Sequence, residues 1–109
     1  MILNAIGTGL YPDFVGRRQI YVGNGAGPKA YNSTTGDVIA LGDPRLYIDA
    51  VLGSPLSVSG TYFVRPQPKG TGVRQTWTLH WYVTSGGAEA GAIDLSAEQV
   101  QLGLFVGQF

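Results

Sequence analysis

Glycine and proline interrupt this chain so often that a long helix has nowhere to form. Seventeen glycines and six prolines are spread through 109 residues. The segments between them are short, and the best of them alternate. Across residues 73–84, Val73, Gln75, Trp77, Leu79, Trp81 and Val83 fall on one side, and Arg74, Thr76, Thr78, His80, Tyr82 and Thr84 on the other. A period of two is the mark of a half-buried strand. Residues 100–106 repeat it, with Val100, Leu102, Leu104 and Val106 opposite Gln101, Gly103 and Phe105.

The remaining strands are weaker. They are expected at 2–6, 18–22, 37–41, 45–52, 56–65 (interrupted at Gly60) and 92–95, with loops at 7–12, 32–36 and 66–72. Asn24-Gly25 reads as a two-residue turn, because both positions tolerate positive φ. Ser96 and Gln99 have capping-box spacing, but four residues before an alternating run make a turn rather than a helix. Seven to eight short strands with a turn signal about every ten residues describe an all-β, single-domain sandwich or barrel over residues 1–109, with jelly-roll topology among the expected arrangements. The length fits one core and no second.

Charged residues make up 13% of the chain, against about 25% in a typical soluble domain. Seven basic and seven acidic residues cancel. A chain that grips phosphates through a basic excess is therefore not expected, and no nucleic acid partner is assigned. Low charge at zero net balance suits burial against another subunit better than life as a dilute monomer. Cysteine is absent, which excludes disulfides and thiolate metal sites. No basic leader or run of about 18 apolar residues appears, so neither secretion nor a membrane helix is expected.

Residues capable of chemistry are few. Gly23, Gly25, Gly27 and Lys29 have the wrong spacing for a phosphate loop, and Pro28 precedes the lysine. His80 is the sole histidine; no Gly-x-Ser-x-Gly elbow accompanies it, and it reads as a surface or interface side chain. Asp37, Asp43 and Asp49, with Asp13 upstream, offer carboxylates without an EF-hand pattern. No catalytic residue, metal or cofactor is assigned. Tyr62, Trp77 and Trp81, with Tyr82, can form an aromatic platform for a ligand beside Arg65, Lys69 and Arg74. Trp77 and Trp81 share a face with Leu79 and Val83, however, which favours the core. Phe105 and Phe109 lie opposite the apolar side of the last strand and are expected at a subunit interface, the rival being a strand buried on both faces.

Gly/Thr/Ser-rich strands, no cysteine, low charge and the closing strand at 100–109 together make the chain resemble the small β-rich structural proteins of tailed bacteriophages, in particular capsid decoration or cement proteins. That resemblance implies a dimer or trimer on a capsid surface, located in the virion and assembled in the host cytoplasm, adding mechanical stability without chemistry. It carries over no individual residue. The competing expectations are a carbohydrate-binding or lectin-like module and a small jelly-roll enzyme.

Overall fold

The structure is a computed structural model; it describes residues 1–12, 19–42, 44–70 and 76–108, with side chains described for all of these except 4–12, 19 and 108. It is all-β. Among the described residues there is no helix, and so none long and apolar enough to cross a membrane. The strands are β1 (Asn4–Pro12), β2 (Gln19–Ala26), the two-residue β3 (Asp37–Val38), β4 (Leu46–Leu52), β5 (Tyr62–Lys69), β6 (Thr76–Val83) and β7 (Gln99–Gln108). They form two antiparallel sheets, ordered β1-β2-β7-β4 and β3-β6-β5.

The alternating segments place their apolar sides as their period requires. Val100, Leu102, Leu104 and Val106 of β7 are buried, as are Leu79 and Trp81 of β6 and Val64 of β5. With Tyr21 of β2 and Ile48 of β4 they form a single core shared by both sheets. Leu3, Tyr31, Ile39, Ala90 and Leu95 fill it from the connecting segments. On β4, a shift in register between Ile48 and Ala50 marks a bulge at Asp49. The extra residue keeps Ile48 inward, opposite Val106, while Ala50 pairs with Phe105 on the outer face.

Several boundaries differ from expectation, each for a local reason. Gly7–Pro12, expected as a loop, continues β1. Asn24-Gly25 is not a turn: neither residue has positive φ, and they pair with Gln101 and Val100 inside β2. Gly25 and Gly27 serve close packing instead. A Cβ on Gly27 would stand 2.5 Å from the Leu95 carbonyl oxygen. The Pro66-Gln67-Pro68 stretch, expected as a connector, belongs to β5. That strand lies at a sheet edge. The Val64 amide faces away from β6, to the Pro55 carbonyl at 3.0 Å. Pro66 and Pro68 share its parity, so the N–H that proline lacks would have faced away from β6 as well. Residues 92–95 are not a strand; Leu95 is buried there as a plug, and Asp94, rather than Ser96, accepts the local turn bonds.

Candidate functional site

The cross-strand register of the β5–β6 hairpin sorts its side chains. Tyr62, Val64, Pro66 and Pro68 pair with Val83, Trp81, Leu79 and Trp77 on the core side. Phe63, Arg65, Gln67 and Lys69 pair with Tyr82, His80, Thr78 and Thr76 on the outer side. The outer side thus carries two cations, a histidine, two aromatic rings and three neutral hydrogen-bonding residues, with no carboxylate of its own.

This sorting corrects the expected aromatic platform. Trp81 is 0% exposed, its ring edge-on to Tyr62 at 6.2 Å, and its indole N–H donates to Asp37 at 3.2 Å. A side chain with no exposed surface cannot receive a ligand. Tyr62 and Trp77 are half-buried against the same core. The Trp77 indole nitrogen is buried and has no partner among the described residues. Tyr82 and Arg65 do meet on the outer side. Tyr82 stacks on Phe63 (5.3 Å between centroids, 17° between planes), and the Arg65 guanidinium lies 5.3 Å from the Tyr82 ring centre and 5.6 Å from that of Phe63. The two rings stack, so each has one face covered by the other.

Beside them lies a hydrogen-bonded cluster that joins distant parts of the chain. The Tyr31 hydroxyl donates to Glu89 Oε2 at 2.6 Å and accepts the Trp81 backbone N–H at 3.0 Å. β3 begins only at Asp37, opposite Leu79, so this hydroxyl supplies the acceptor that an earlier start of the neighbouring strand would have given β6. The Trp81 carbonyl in turn accepts from Ala90 N–H at 2.8 Å. His80 Nδ1 lies 2.9 Å from the same Glu89 oxygen. An ionised carboxylate has no proton to give, so Nδ1 carries the hydrogen; in the neutral ring, Nε2 is left as an acceptor. The bonds from Tyr31 and then His80 hold the Glu89 carboxyl below its ordinary value. Burial, reinforced by the bond to Glu89, pushes the Tyr31 phenol well above the usual phenol range. The proton therefore stays on Tyr31, and the network is fixed in one polarity.

A pocket of about 250 Å³ opens on this outer face. It is lined by Thr34, Thr35, Gln67, Pro68, Lys69, Thr78 and His80. One wall is the turn at 33–35, held by the Asn32 side chain, whose Oδ1 accepts from Thr34 N–H at 2.8 Å. Gly36 completes the turn with φ +73°, a conformation that L side chains rarely adopt. A Cβ there would stand 2.9 Å from His80 Nε2. Glycine is required twice over, by φ and by the ring.

The other expected site residues are dispersed. Asp37 is buried and accepts from both the Met1 ammonium, at 2.7 Å, and Trp81 Nε1. Asp13 and Asp43 lie outside the described residues. Among the described residues no three His, Cys, Asp or Glu side chains converge as a metal site. Gly23, Gly25 and Gly27 belong to β2 and its exit, not to a phosphate loop.

Phe109 is also outside the described residues. Phe105 is half-buried on the outer face of the four-stranded sheet, opposite Ile20 of β2 and Ala50 of β4. Because β7 is interior to its sheet, paired on both sides, its backbone edge is not open to a partner. Only its face is. That face also holds Val22 and Leu52, which flank Gly103. Ile20 is 39% exposed and Leu52 44%.

No protein-family model, no curated protein and no solved structure matches the chain.

Proposed function

We propose that the protein is a non-enzymatic structural component that works as a homo-oligomer within a larger assembly, of the capsid decoration or cement type, on the virion surface. The observation that carries this reading is the apolar outer face of the four-stranded sheet. Ile20, Val22, Ala50, Leu52 and Phe105 lie together there on three adjacent paired strands. A chain with balanced charge and few ionic groups gains most by covering such a face. Glycine at 103 leaves the sheet low beneath Leu52, which suits close approach of another surface.

The same proposal includes a β-sandwich with a shortened jelly-roll path. Its support is the strand order: β2-β7-β4 and β3-β6-β5, every neighbour antiparallel, with the chain changing sheets at each step from β2 to β5. This order supports the reading as that of an eight-stranded jelly roll lacking two strands, one from each sheet, and preceded by an added edge strand. Jelly rolls serve capsid and lectin domains alike, so the path alone selects neither.

The test is sedimentation of the purified protein at micromolar concentration, with and without Leu52→Glu. The expected result is a dimer or trimer for the parent and a folded monomer for the variant. A monodisperse monomeric parent overturns the reading.

A further inference from the structure

The neutral charge balance of the chain conceals a strong segregation. No Asp or Glu occurs between Asp49 and Glu89, while Arg65, Lys69 and Arg74 all fall in that stretch. Arg74 is outside the described residues, but Arg65 and Lys69 stand on the outer side of β5, flanking Gln67. Glu89, the carboxylate bonded to His80, directs one oxygen to both Tyr31 and His80. Lys69 has no ion-pair or hydrogen-bond partner for its ammonium among the described residues. Among the described residues, therefore, no acid matches this cation at the rim of the pocket.

The rest of the lining adds donors and acceptors in a mixture. Gln67 offers an amide, Thr34, Thr35 and Thr78 offer hydroxyls, and His80 offers Nε2, its one nitrogen not already bonded to Glu89. The Glu89 bond keeps that nitrogen an acceptor in the neutral ring, and the glycine at 36 spares it a Cβ that would stand 2.9 Å away. A bare sulfate has only acceptors to give and makes no use of an accepting imidazole. A hydroxylated ring bearing an acid uses all of them. The volume, below the range of about 300–1,000 Å³ common for drug-sized ligands, fits one small ring rather than a large cofactor.

We propose that this pocket binds an anionic sugar, with Lys69 holding the acidic group while His80 Nε2, Gln67 and the threonine hydroxyls meet the ring hydroxyls. Arg65, on the same face, extends the cationic track toward a neighbouring residue of an acidic chain. Single-stranded nucleic acid is the poorer fit, because base stacking needs an aromatic face at the site and no Phe, Tyr or Trp is among the residues lining the pocket. The site lies on the three-stranded sheet, away from the apolar face of the four-stranded one, and does not depend on the assembly reading.

The experiment is an amide chemical-shift titration of the intact protein at near-physiological salt. Its probes are oligogalacturonate, a sulfated galactose oligomer, the neutral galactose oligomer and oligothymidylate. The expected result is saturable shifts at residues 34–36, 67–69 and 78–80 with one or both acidic sugars, and at least tenfold weaker binding of the neutral sugar. The carboxylated and sulfated arms show which acid Lys69 prefers. Lys69→Gln, an exposed substitution, should weaken the acidic sugar about tenfold and leave the shifts of core amides in place. The proposal is overturned by no binding of either acidic sugar, by equal binding of the neutral one, by oligothymidylate binding as well as the sugars, or by parent-like affinity in Lys69→Gln.

Discussion

Tyr31→Phe removes one oxygen from the core, and its cost can be worked from what that oxygen touches. Tyr31 is 2% exposed, and its ring fills the same space as phenylalanine, so little packing is lost. Two close hydrogen bonds are, together with a longer contact to His80 Nδ1 at 3.4 Å. One is donated to Glu89 Oε2, whose side chain is 30% exposed; water replaces much of that bond, and it contributes little. The other comes from the buried Trp81 N–H, which lies beyond the start of β3 at Asp37, opposite Leu79, and so has no acceptor from that strand. A buried amide left without a partner costs about 1–3 kcal/mol. The expected loss is about 2 kcal/mol, or roughly 8–16 °C in melting temperature at about 4–8 °C per kcal/mol for a domain of this size. Glu89→Gln is the control: it keeps the Tyr31 hydroxyl and the Trp81 bond, and should cost under about 1 kcal/mol. Thermal melts of the two variants by circular dichroism decide the matter. If Tyr31→Phe melts within a few degrees of the parent, or if Glu89→Gln costs as much, the hydroxyl is not completing the β6 ladder.

Other expectations follow from the same contacts. Trp81→Ala should cost about 3–5 kcal/mol, as for other fully buried large aromatics, and Trp77→Ala clearly less, since Trp77 is half-buried; denaturant titrations rank them, and an inverted order contradicts the core assignment. Gly27→Ala should cost about 1–3 kcal/mol through overpacking against the Leu95 backbone, whereas Gly91→Ala, with nothing within 4 Å of a Cβ, should fall within about 0.5 kcal/mol of the parent. The Glu89 carboxyl should titrate below the ordinary 4.5 by carbon-detected NMR, and Tyr31→Phe should return it upward. Because its folded value is depressed, its stabilising effect is present above the ordinary carboxylate range and is lost as pH falls through the folded value; a titration at or above 4.5 would contradict the network.

What could be read from the sequence was whatever depends on local period. The alternation in β6 and β7 identified Leu79, Trp81, Val100, Leu102, Leu104 and Val106 as inward-facing, and all are buried. The misread segments are those where a residue's local preference was overruled by a neighbour distant in sequence. Gly25 has a turn-forming partner in Asn24, yet it lies in a strand where Met1 crosses it. Pro66 and Pro68 look like breakers, but both fall on the parity of β5 whose amides face away from β6. Gly-Leu-Tyr-Pro at 9–12 has no strand pattern, and it is drawn into β1 by pairing with β2.

The site was legible in composition but not in arrangement. Tyr31, His80 and Glu89 are separated by 49 and 58 positions from Tyr31, and no spacing rule links them. Even so, a signal was present. A stretch from residue 50 to residue 88 without a single acid, in a chain whose charges otherwise cancel, is not what a uniformly solvated surface requires. Parity then assigns the charges: Arg65 and Lys69 share the face of Phe63 and Gln67, and opposite parity assigns Val64 to the core. The step the sequence withholds is the cross-strand register, which decides that Tyr82 and His80, rather than Trp81, stand beside those cations. Shifted by one residue, the same hairpin would put both tryptophans beside Arg65 and Lys69 and bury His80 with the cations' partners left behind. The register is held against that slip by the burial of Trp81 and by the bond from its backbone amide to Tyr31. The interactions that fix the core therefore also fix which side chains the outer face can offer to a ligand.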